Sequence, residues 1–232
     1  MKHIGIVGCS AEGAALCYRT IISEGIKRSG GLSHPEVSMH TATLSDYMDL
    51  LNRDEPDWIG AAEVMLKSIK ILKAAGADFA ICPDNTIHEG FNMVRERSAL
   101  PYLSILEVVA DTAIARGMKK LLILGTTFTM QGTFYPDILS KKGLGYQSPT
   151  LEEQKQIDHI LWSELLHGSA CEVSVSFYEN VIKRHKSLGC DGVILGCTEI
   201  PIIISDENSA LPVLDSTRLL ASAALDFAVT KS

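Results

Sequence analysis

Two turns in this chain carry groups able to take up and return a proton. Residues 76–85 read GADFAICPDN and residues 189–198 read GCDGVILGCT. Laid on one another, Gly76 falls on Gly189, Asp78 on Asp191, Ile81 on Ile194 and Asp84 on Cys197. A carboxyl group stands at the tip of the first turn and a thiol at the tip of the second. Their ordinary pKa values, ~3.9 and ~8.5, bracket neutrality, and either group can serve as general acid or base. Two such groups on opposite faces of a carbon acid can remove a proton from one side and return one on the other. Short polar side chains accompany them: Ser10, Asn85, Thr86, Thr126, Thr129 and Thr198. With backbone N–H groups at helix starts, these can hold carboxylates and stabilise an enolate-like charge. No cofactor is needed for this chemistry.

Other chemistries fit less well. A dinucleotide-binding turn needs GxGxxG after the first strand, but here Gly5, Gly8 and Gly13 leave four residues between the last two. GxxxxGK[ST], HExxH, CxxC and GxSxG are all absent, so no metal site is expected. Among the cysteines, Cys17, Cys171 and Cys190 read as small buried hydrophobes. Cys9, Cys82 and Cys197 fall at or beside strand ends, and Cys82 should point into the sheet packing. His88 fits a surface or capping residue better than a base. Asp84 itself has a structural reading, because an Asp at a strand-to-helix turn is often a helix N-cap.

Bulk properties narrow the class. The chain has 232 residues, 46% of them hydrophobic, enough for a folded protein with a sizeable core. Its net charge of −7 and the lack of basic clusters argue against nucleic-acid or anionic-membrane partners. No apolar run reaches the ~18 residues of a membrane helix, and the N-terminus reads as a strand and not a leader. The cytoplasm is the expected location.

The elements that must position the two turns alternate. Apolar strands are predicted at 4–8, 36–42, 78–83, 101–105, 119–125 and 191–196. Helical periodicity covers 11–27, 58–76, 107–117, 150–168 and 175–189, with a last helix after LPVLD. Thr150 three residues before Glu153 predicts a capping box. Uniformly apolar strands alternating with helices mean an α/β fold of parallel sheets with helices on both faces. HIGIVGCS (3–10) matches KLLILGTT (120–127) as the two turns match each other, which implies two similar halves. The boundaries expected are 1–98 with the C-terminal helix 212–232, and 99–211. Ligands of open parallel sheets bind beyond the strand carboxyl ends, where all four matched turns lie. If the halves face each other, those turns line one cleft.

The chain resembles the aspartate/glutamate racemase family over essentially its whole length. The resemblance rests on IGIVG, DNTIH (84–88), LGTTFTMQGTFY (124–135), the stretch EEQKQIDHILWSEL, GCTEIP (196–201) and LPVLDST (211–217). GCTEIP together with GTxxTM is the specific pair. The resemblance implies two pseudo-symmetric α/β subdomains with the active-site cleft between them, no cofactor, a small amino-acid or dicarboxylate substrate and a homodimer. It makes Cys197 one of two paired acid/base groups. Asn85, Thr86 and Thr198 hold the substrate α-carboxylate, and Thr126 and Thr129 belong to the GTxxTM turn. Glu199 supports the site. Ser10 falls in the first substrate loop, although GCSAEG departs from the family's GGMGPE. Arg53 and His159 correspond to groups that meet a distal carboxylate. The main departure is Asp84, where the family places its first cysteine. The expected activity is racemisation of an acidic amino acid, with Cys197 and Asp84 as the pair. Alternatives on the same fold are a decarboxylase or cis-trans isomerase of a small dicarboxylic acid, or a non-catalytic carboxylate-binding relative. In another variant, Asp84 reads a cationic substrate group.

Overall fold

The computed structural model describes residues 1–230. It contains two four-stranded, all-parallel sheets. The first is built from β1 (Ile4–Gly8), β2 (Val37–Thr41), β3 (Phe79–Ile81) and β4 (Tyr102–Leu103), in the order β2-β1-β3-β4. The second uses β5 (Lys120–Leu124), β6 (Gly145–Gln147), β7 (Gly192–Leu195) and β8 (Val213–Asp215), in the order β6-β5-β7-β8. Each half repeats one strand order. The central strands β1, β3 and β7 are buried throughout, as apolar strands covered on both faces must be.

Ten α-helices complete the described residues: α1 (Ala11–Ser29), α2 (Leu44–Leu51), α3 (Trp58–Ala74), α4 (Phe91–Arg97), α5 (Ile105–Ala115), α6 (Thr127–Gln131), α7 (Phe134–Lys141), α8 (Leu151–Ser163), α9 (Glu172–Ser187) and α10 (Ser216–Val229). The capping box on α8 forms as expected, with Thr150 N donating to Glu153 Oε2 at 2.8 Å and Glu153 N to Thr150 Oγ1 at 3.4 Å. The chain divides into two compact units, Met1–Val108 with the segment from Thr217 onward, and Val109–Ser216. Helix α10 belongs to the first unit: Arg28 of α1 binds Asp226 at 2.7 Å and Ser222 at 2.6 Å. No helix among the described residues is long and apolar enough to cross a membrane.

The doubled sequence motif has a structural cause at one end of each strand. Gly76 and Gly189 both adopt positive φ, 94° and 88°, a turn that side chains resist. Two residues on, an aspartate pins the neighbouring strand. Asp78 accepts from His3 N at 2.7 Å, while Asp191 accepts from Lys119 N at 2.7 Å and Lys120 N at 2.9 Å. These carboxylates fix where β1 and β5 begin relative to β3 and β7.

Several elements depart from the sequence reading. Helices α2, α6 and α7 and strand β6 fall in stretches without a clear predicted element. Strand β6 is three residues long and largely exposed, so it carries no apolar run. The predicted helix 150–168 ends at Ser163, and a 3₁₀ turn, Leu165–His167, closes on Gly168 at φ 70°. Cys171 is exposed, not buried; it is the N-cap residue of α9, with its N–H on Glu164 at 2.9 Å.

Candidate active site

In the first unit the chemistry gathers where β1 and β3 leave the sheet. Their register pairs Ile4 with Phe79 and Ile6 with Ile81. Asp84 is half-buried and Cys9 is buried. Burial and the adjacent carboxylate hold the Cys9 thiol far above its ordinary pKa, so it stays neutral. Cys82, fully buried behind them, is shifted the same way by burial and by Asp84.

The Asp84 backbone is also held. Its carbonyl accepts from His88 Nδ1 at 2.6 Å, and the Tyr102 hydroxyl meets His88 Nε2 at 3.1 Å. With Nδ1 protonated, Nε2 is the acceptor for Tyr102. Burial lowers His88 to about 4 against the opposing pull of the carbonyl, leaving a neutral ring at physiological pH. His88 therefore caps the turn from a buried position, not from the surface. Asn85 is buried and Thr86 half-buried on the same turn. The α-helix that follows is capped from Gly90, not from Asp84. Ser10 caps α1, its Oγ accepting from Gly13 N at 3.2 Å.

In the second unit β5 and β7 end side by side. A Cβ on Gly196 would lie 2.8 Å from the Leu124 carbonyl, and one on Gly125 would lie 3.0 Å from the Gly196 carbonyl. Only glycine lets the two backbones approach so closely, and this brings the Thr126 and Cys197 turns together. Thr126 caps α6, its Oγ1 accepting from Thr129 N at 3.3 Å. Cys197 is half-buried and donates its S–H to Glu199 Oε2 at 2.9 Å. Glu199 is itself buried, as is Thr198. Behind this turn, burial and then the charges of Cys197, Asp158 and Glu164 push the Tyr178 phenol up, which marks those three as its acidic neighbours.

Two groups near these turns escaped the sequence reading. Asp158 accepts from Thr127 N at 2.8 Å, whereas the adjacent His159 is exposed. Helical spacing held the signal: Gln154, four residues earlier, is buried and bonds Gln131 on α6 at 2.8 Å, so its face of α8 carries Asp158. Tyr47 on α2 is the other, fully buried and close enough for Cys82, Cys9 and Asp84 to raise its phenol further after burial has done so. Arg53 lies on the surface, its guanidinium on Asp57 at 2.9 Å and the Asp49 carbonyl at 3.2 Å. Among the described residues no group of three or more His, Cys, Asp or Glu could hold a metal ion.

The model of the Asp/Glu/Hydantoin racemase family matches residues 6–224. The chain belongs to that family. As a family member it is similar to the broad specificity amino-acid racemase RacX of Bacillus subtilis, 23% identical over 83% of this chain and 82% of that one. Its fold is shared with a Yersinia pestis protein provisionally described as an Asp/Glu racemase (31% identity, 99% and 100% coverage, TM-score 0.91). An aspartate racemase homologue from Pyrococcus horikoshii matches at 29% identity, 99% and 100% coverage and TM-score 0.87. The two-subdomain α/β architecture is that of this racemase family.

Proposed function

We propose that this chain is a cofactor-independent amino-acid racemase in which Cys197 and Asp84 are the two acid/base groups. The observation that carries the reading is the Cys197–Glu199 pair at 2.9 Å, at the carboxyl end of a central strand in a racemase-family chain. A thiol bonded to a buried carboxylate has a local acceptor for its proton, and so a route to the thiolate. The thiolate takes the α-proton of the L-enantiomer; the electron pair left behind delocalises into the substrate carboxylate. Asn85, Thr86, Thr198 and the capped helix starts at Ser10 and Thr126 supply donors for that charge. Asp84, protonated, then gives its proton to the opposite face, and the electron pair of its O–H bond stays on the carboxylate.

The substrate proposed is an acidic amino acid, aspartate or glutamate. Its distal carboxylate would fall to Arg53 or His159. Recruiting Arg53 means opening an exposed ion pair with Asp57, a contact worth only about 0–1 kcal/mol. The named breadth of the B. subtilis relative makes a wide panel the right test. Each enantiomer of a set of amino acids is followed by proton NMR in D2O, with chiral analysis alongside. Loss of the α-proton signal with racemisation of aspartate or glutamate is expected. No exchange with any member overturns the racemase reading.

A further inference from the structure

None of the proposed proton transfers uses Asp158, yet its carboxylate is committed to a backbone group beside the Cys197 turn. Its Oδ1 accepts from Thr127 N at 2.8 Å, reaching from α8 to the first residue of α6. That N–H belongs to the peptide joining Thr126 to Thr127. The other side of the same peptide is also held, because the Thr126 carbonyl accepts from Met130 N at 2.9 Å. A planar unit bonded through both its N–H and its C=O has little freedom to turn. Its orientation directs the Thr126 side chain, whose Oγ1 accepts from Thr129 N at 3.3 Å. Thr129 is fully buried and its methyl is wedged against two glycines. A Cβ on Gly125 would lie 2.8 Å from Thr129 Cγ2, and one on Gly196 would lie 2.9 Å from it. Gly196 directly precedes Cys197. Close-packed interiors transmit strain, so a displaced Thr126–Thr129 turn is passed on to the Cys197 turn by contact. At the far end of α6, Gln131 binds Gln154 at 2.8 Å and the Met130 carbonyl accepts from Ser148 Oγ at 2.8 Å. Asp158, one helical turn beyond Gln154 on α8, holds the start of α6 as these hold its end.

We propose that Asp158 is a positioning residue for Cys197: by holding the Thr126–Thr127 peptide it fixes the seat of Thr129 against Gly196, and with it the place of the thiol. The inference rests on the racemase reading for its kinetic consequence alone. A base must stand within hydrogen-bond reach of the proton it takes, and a misplacement of about 1 Å can cost about a hundredfold in rate. Asp158 exchanges no proton in this role. It acts through an acceptor lone pair, so an amide oxygen at the same reach can stand in for it.

The test compares Asp158→Ala and Asp158→Leu, which leave no acceptor, with Asp158→Asn, which keeps one. Leu is close to Asp in shape and serves should the Ala variant fold poorly. In ¹⁵N-labelled chain, hydrogen exchange of the Thr127 amide should quicken about tenfold in the Ala and Leu variants, and the Gly196 and Cys197 amide signals should move. Asp158→Asn should leave all three near those of the unmodified chain. In α-proton exchange of the L-substrate, kcat should fall at least about tenfold in the Ala and Leu variants with KM changed less than about twofold, and Asn should restore kcat to within about threefold. Unmoved Gly196 and Cys197 signals in the Ala and Leu variants overturn the proposal. So does an Asn variant as slow as the Ala variant, which would make the charge, not the hold on the turn, the working feature. A loss confined to KM also overturns it, by placing the effect on substrate binding and not on Cys197. Absence of exchange in the unmodified chain defeats the racemase reading instead, and the amide signals still decide whether Asp158 positions the Cys197 turn.

Discussion

Cys197 and Glu199 form a hydrogen-bonded pair whose two members have separable roles. Replacing Cys197 by Ser removes the base, and α-proton exchange should fall at least about a hundredfold, measured by NMR in D2O. Glu199→Gln keeps the size and a hydrogen-bonding side chain but removes the proton acceptor. Exchange should fall about tenfold, and iodoacetamide labelling of Cys197 near neutral pH should slow, followed by peptide mass spectrometry. The exposed Cys171 is the internal control, since its labelling has no reason to change. Equal Cys197 labelling in the two proteins would dismiss Glu199 as its partner. His88 gives a different kind of prediction. Its folded pKa, about 4, lies below the unfolded value of 6.5, so the native chain binds fewer protons in between. Stability is intact above pH 6.5 and drains away as pH falls towards 4, by up to about 3 kcal/mol, with a smaller contribution from His185, lowered the same way. Urea unfolding at pH 7 and pH 5 measures the fall, and His88→Gln should reduce it. These buried partners were not legible in the sequence. Nothing in IH at 87–88 tells a reader that the imidazole is sealed between a carbonyl and a phenol.

Elements carry a second layer of the argument, because the same Gly-x-Asp signature opens β3 and β7. The aspartates were readable as a matched pair, and their role follows from the parallel ladder: each carboxylate satisfies backbone N–H groups where the adjacent strand starts. Asp191 serves two such groups, Asp78 one. Asp191→Asn cannot accept at both positions, and unfolding stability should drop by about 1–3 kcal/mol, with Asp78→Asn at the lower end. Chemical denaturation with circular dichroism checks the order; a larger loss at Asp78 would contradict it. Strands and long helices were legible because apolar runs and 3.6-residue periodicity report burial directly. Helices α2, α6 and α7 are eight residues or fewer, too short for periodicity to stand out, and β6 is a short exposed edge. Asp158 was not legible for a related reason: only the contact of its helix face with the Thr127 turn sets it apart from its neighbours.

At the scale of the whole molecule, one strand order is used twice and its two tips are chemically unequal. Equal scaffolds place Asp84 and Cys197 at equivalent positions, the ends of β3 and β7, so any difference in what the tips do must come from the side chains. On the proposed reading each half serves one enantiomer. Removing one tip group should therefore uncouple exchange from racemisation and leave the other half-reaction running. Asp84→Asn keeps the shape of the carboxyl and deletes its proton. The L-substrate should still lose its α-proton to solvent through Cys197, while chiral analysis shows racemisation down at least about a hundredfold. Asp84→Cys restores a thiol where the family has one. It should racemise again, with the dependence on that group moved upward, since a thiol titrates near 8.5 and a carboxyl near 3.9 in the absence of perturbation. Undiminished racemisation by Asp84→Asn would show that the first tip moves no proton, and would leave Cys197 to serve both faces or the fold to serve another reaction.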